Sequence, residues 1–141
     1  MDARGGGTVV AVTLFGERTA LQLQAFRASV ERPWDIVRGQ LRDAVLASGG
    51  TATEWAGAVG SEVRAEQPVR KRDGSADVMA VRFIGSDGPG WLLRGLVCGE
   101  GAQPGGVEEW PYEVFRDTVV NAGFSQGSPS DMLALRWPPA R

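Results

Sequence analysis

Six short runs of strand-forming residues, grouped in pairs across turn signals, constrain this chain more than any other feature. Thr8 to Phe15 is rich in β-branched and aromatic side chains and stops at Gly16-Glu17-Arg18, which predicts a strand and a tight turn. Beyond the turn Leu21, Leu23 and Ala25 alternate with Gln22, Gln24 and Phe26, the period of a half-buried strand. A second pair, Thr51 to Ala56 and Glu62 to Val69, flanks Gly57-Ala58-Val59-Gly60-Ser61. Its second member sets Glu62, Arg64 and Glu66 against Val63, Ala65, Gln67 and Val69, so one face of this hairpin reads as charged. The third pair, Val78 to Ile84 and Trp91 to Cys98, is the most apolar and is expected at the centre of the sheet. Between its members Gly85-Ser86-Asp87-Gly88-Pro89-Gly90 reads as the turn, with a positive φ at Gly88 or Gly90.

Between the first two pairs the period changes. Trp34, Val37, Leu41, Ala44 and Val45 recur at helical spacing among Asp35, Arg38, Gln40, Arg42 and Asp43, which predicts an amphipathic helix over 33–48. Pro33 suits its first turn and Gly49-Gly50 its end. Tyr112, Phe115 and Val119 fall at i, i+3 and i+7, predicting a second helix over 108–121. Residues 123–131 read as loop, and Met132 to Trp137 as a short strand ended by Pro138-Pro139. The order ββαββββα specifies the α+β class: a mostly antiparallel sheet of about six strands packed by two amphipathic helices. At 141 residues and 15.0 kDa the chain reads as one domain over 1–141, with a flexible start at 1–7 and a tail at 123–141. A core of that size needs no disulfide or metal to hold it.

Composition removes several kinds of chemistry. The chain has no histidine and one cysteine, so it lacks the commonest general base, the commonest metal ligand and the partner that activates serine or cysteine nucleophiles. Cys98 stands in the apolar run Leu96-Val97-Cys98, where a free thiol behaves as a small hydrophobe. The carboxylates Asp35, Asp43, Glu113 and Asp117 fall on predicted helices beside arginines and read as solvated faces. A catalyst is therefore not expected, nor a cofactor or metal. The net charge of -2 and a pI near 5.2 argue against a domain built to neutralise phosphates. With no apolar stretch long enough to span a bilayer and no leader pattern at Met1 to Gly7, no membrane association is expected and a cytoplasmic location is. Basic residues comprise fourteen arginines and Lys71, a bias that fits a high-GC genome.

What remains is binding chemistry. Arg82 and Arg94 each interrupt an apolar strand of the third hairpin, where they can pair with Asp117 or Glu113 on the second helix or rim a ligand site. Of the five tryptophans most are expected in the core, but Trp110 and Trp137 flank prolines and are candidate anchors for a partner. The reading that follows is a non-catalytic protein-binding or assembly module, its partner another protein or a second copy of itself. The alternative is an accessory nucleic-acid or nucleotide-binding domain using Arg82, Arg94 and the turn Arg70-Lys71-Arg72.

The runs Val9 to Leu14, Ala20 to Phe26, Trp34-Asp35 with Val37-Arg38, Val81 to Gly95, Glu113 to Val120 and the closing Leu135-Arg136-Trp137-Pro138 together resemble an uncharacterised actinobacterial domain-of-unknown-function family. The resemblance implies an actinobacterial source and genes often placed near dUTPase and an OB-fold protein. It carries no known activity or catalytic residues. Members of that family usually have an acidic extension and one more strand before the position of Val9, so this chain is expected to present a sheet edge near 8–15. The element order is also similar to that of PsbP-like domains, an antiparallel sheet sandwiched by helices.

Overall fold

The computed structural model describes residues 11–106, 108–121 and 132–136. All six expected strands form: β1 (Ala11–Phe15), β2 (Thr19–Arg27), β3 (Thr51–Gly57), β4 (Gly60–Arg70), β5 (Ala76–Gly88) and β6 (Trp91–Gly99). Two short ones follow, β7 (Val119–Asn121) and β8 (Met132–Arg136), and every pairing is antiparallel. The strand order is β3-β4-β5-β6-β2-β8-β7, which puts the apolar third hairpin at the centre as its sequence required. β6 takes one side of β2 along its length, while β1 and then β8 share the other. No described strand pairs the outer side of β1, where Phe15 is exposed.

Two helices pack on opposite faces. The helix α2 (Trp110–Asp117) sets Tyr112 and Phe115 on Leu21, Leu23, Ile84, Leu93 and Val97. It is shorter than its spacing predicted, because Thr118-Val119-Val120 is a β-branched run that is extended from Thr118 onward and goes into β7. The other helix, α1 (Pro33–Ala47), sets Val45 over Val63, Ala65 and Val81.

Trp34 fastens α1 to the sheet. Its indole Nε1 donates to the Ser61 carbonyl at 2.7 Å, and its backbone N–H donates to Asp87 Oδ1 at 2.7 Å. Arg32 leads into the helix in a left-handed conformation and supplies no side-chain cap, so Asp87 of β5 caps the helix from across the structure, where a carboxylate complements the dipole. A β-carbon at Gly85 would fall inside the Trp34 ring, and one at Gly88 inside the Trp91 ring. Gly85 and Gly88 are thus seats for tryptophans within β5, not turn residues. The turn is Pro89-Gly90 alone, with φ 77° at Gly90. At the helix's other flank Arg38 and Arg42 both bind Glu54 of β3, at 2.6 and 2.7 Å, and Arg38 also reaches Asp35.

Gly85→Ala should destabilise the fold by about 1–3 kcal/mol through overpacking, read by urea unfolding, and that cost should largely vanish in a Trp34→Ala background. The Glu54 carboxyl is held below its ordinary value of 4.5 chiefly by the Arg38 hydrogen bond. Its contribution is therefore full above that value and lost as pH falls through the depressed one. Glu54→Gln should cost under about 1 kcal/mol at pH 7, and the gap to the parent should close on acidification.

Candidate functional site

The two strand arginines part company. Arg82 lies opposite Val97 and Arg94 opposite Gly85, registers that put them on opposite faces of the sheet. Arg82 points under α2 and is 2% exposed. Its Nη1 donates to the Tyr112 hydroxyl at 3.3 Å, and its Nη2 to the carbonyls of Gln103 and Gly106 at 2.9 and 3.2 Å. The expected carboxylates, Glu113 and Asp117, are exposed on α2. That helix buries Tyr112 instead, whose hydroxyl donates onward to Glu62 at 3.2 Å.

Glu62 is the residue that alternation misplaced. It sits on the charged face read from β4, yet it is 0% exposed, because Tyr112 of α2 reaches over that end of the strand, while Glu66 on the same face stays exposed. It accepts from Arg64 Nε at 2.8 Å, and Gly57 lacks the β-carbon that would collide with it. Burial pushes the Tyr112 phenol pKa up, keeping the hydroxyl protonated as a donor. The chain Arg64–Glu62–Tyr112–Arg82 thus ties the 100–106 loop to the sheet, and its chemistry is structural. Arg64 also stacks at 4.2 Å on Trp55, which is 51% exposed at the β3 edge instead of buried.

Arg94 points the other way, into a groove of about 540 Å³ between α1 and strands β2 and β6. α1 lies mainly over β3, β4 and β5 and reaches only the near side of β6, so part of its apolar stripe overhangs the sheet toward β2. Val37 and Leu41 are only half-buried and Ala44 is exposed. All three line the groove, with Phe26 and Leu92 in its floor and Val30 and Ile36 at its mouth. The guanidinium of Arg94 donates to the Gln24 side-chain carbonyl and lies 5.0 Å from the Phe26 ring centre. It has no carboxylate partner among the described residues, and burial lowers its pKa. Arg27 lies opposite Trp91 and so faces the α2 side with Leu23 and Ala25, its Nε and Nη2 buried and without a hydrogen-bond partner.

The other sequence candidates sit elsewhere. Trp110 is half-buried against the α2-side core and close over Gly16 of the first turn. Trp137 lies outside the described residues. In the 70–72 turn Arg70 donates to the Gly74 carbonyl and Lys71 lies 4.0 Å from Asp77. The Cys98 thiol is half-buried, and burial pushes its pKa up, which disfavours the thiolate. No described helix is long and apolar enough to cross a membrane.

Residues 1–141 match the family described as Protein of unknown function (DUF3710), and the chain belongs to that family. No curated protein and no solved structure matches it.

The contrast between the arginines is measurable. Arg82→Met leaves the Tyr112 hydroxyl and two loop carbonyls without their donor and should cost about 1–3 kcal/mol, with faster amide exchange in 100–106. Arg94→Met removes a desolvated, unpaired charge and should change urea stability by less than about 1 kcal/mol. Equal costs would make Arg94 a structural residue as well.

Proposed function

We propose that this DUF3710 member is a non-catalytic binding module that docks a segment of a partner protein in the groove between α1 and strands β2 and β6. The observation that carries the reading is the divided stripe of α1. An amphipathic helix ordinarily buries its whole apolar face, whereas here Val37, Leu41 and Ala44 line an open groove beside Ile36, itself 51% exposed. Grooves of this size and lining are where proteins hold ligands, and a docked apolar segment would complete the burial that the sheet leaves undone. A cytoplasmic location in an actinobacterium belongs to the same reading, as does the PsbP-like sandwich, a fold class that serves mostly for binding and assembly.

Phage-displayed random dodecapeptides panned on the full chain should yield binders that Ile36→Glu weakens at least tenfold, with unchanged urea stability. If every selected peptide binds Ile36→Glu as well as the parent, the groove is not the docking surface. A dimer by sedimentation that Ile36→Glu dissolves would make the occupant a second copy of the chain instead.

A further inference from the structure

β3 ends the sheet and carries none of the devices that usually keep edge strands apart. Among the described residues it pairs with β4 alone. Its register runs unbroken from Thr51 opposite Glu66 to Gly57 opposite Gly60, without a bulge, a proline or a lysine. Gly57 and Gly60 flank the two-residue turn Ala58-Val59 and so form a hydrogen-bonded pair; by alternation Thr51, Thr53 and Trp55 also bond to β4. Ala52, Glu54 and Ala56 therefore turn their N–H and C=O groups outward, a row that another extended chain matches. The one charge on the strand, Glu54, is held toward α1 by Arg38 and Arg42. Apolar side chains flank the edge on both faces. Trp55 stands on one, and on the other stands Leu46, a turn beyond Arg42 on α1, each 51% exposed.

We propose that β3 pairs antiparallel with β3 of a second copy of the chain, joining the two sheets edge to edge about a twofold axis through Thr53. The pairing is independent of the groove, which opens at the opposite flank of α1. The edge is complementary to itself in this register. Glu54 falls opposite Ala52, each Trp55 falls opposite a Thr51, and the ladder runs from Gly50 to Ala56. An axis through Glu54 would set like charges directly opposite. An axis through Trp55 would run the ladder early into the Ala58-Val59 turn. The same twofold brings α1 beside α1, where Asp35, Arg38, Arg42 and Asp43 mix both signs, so the flank does not repel its copy although the net charge is -2.

The full chain should show a concentration-dependent dimer by sedimentation. In the dimer the amides of Ala52, Glu54 and Ala56 should exchange about tenfold more slowly than in the monomer, while those of Thr51, Thr53 and Trp55 change little, a comparison that needs no variant. Ala52→Pro removes an outward N–H and no bond to β4, so it should abolish the dimer while leaving the urea stability of the monomer nearly unchanged. Ile36→Glu, at the mouth of the groove, should leave the dimer intact. A chain that stays monomeric at the concentrations used for exchange overturns the pairing, as does a dimer whose three outward amides exchange as fast as in the monomer. A dimer that Ile36→Glu dissolves and Ala52→Pro spares also overturns it, and places self-association in the groove.

Discussion

Everything on one side of the sheet follows from the seating of Trp34 on Gly85. A ring this large lies flat on a strand only where the backbone beneath it has no β-carbon, and Gly85 supplies that gap in the middle of β5. The indole N–H then reaches the Ser61 carbonyl and the backbone N–H reaches Asp87. One residue thereby fixes the helix's start, its distance from the sheet and the strands it crosses. Arg38 and Arg42, gripping Glu54, hold the outer flank of the helix over β3.

The groove is the geometric consequence of that placement. The helix, anchored over β5 and drawn toward β3, reaches only the near side of β6 and leaves the β2 side open. The half-buried side of the sheet left behind carries Phe26 and Arg94, and the helix side facing it carries Val37 and Leu41. The same anchoring that stabilises the domain therefore leaves apolar surface and the Arg94 guanidinium together in one place. Apolar surface left open in this way is unfavourable in water, which is the physical ground for proposing recognition there.

The opposite face follows a different logic. There α2 is short, and the loop at 100–106 must be held without much apolar surface of its own. Arg82, Tyr112 and Glu62 do this with a buried network in which each polar group finds a partner except Arg82 Nε. Such a network fixes one arrangement because its members are costly to leave unmet. Two arginines of similar sequence setting thus serve unlike ends, one holding the fold and one facing outward.

The antiparallel sheet, its central hairpin, the α1 helix and the inert setting of Cys98 were all legible in the sequence, because each is written in the spacing of neighbouring residues. The Gly85-to-Gly90 run misled, since glycine marks a turn and a close approach alike, and nothing local says that a tryptophan 51 residues earlier needs the space. Glu62 misled for a related reason: alternation assigns a side chain to a face but does not say what covers that face. The end of α2 was misjudged where periodicity outweighed the β-branched run after it. Above all, Arg82 and Arg94 looked equivalent, because both interrupt apolar strands that pair with each other. Sequence determined that these strands pair; only the register decided that the two arginines fall on opposite faces, since a shift of one residue in an antiparallel ladder exchanges the sides of every side chain it carries.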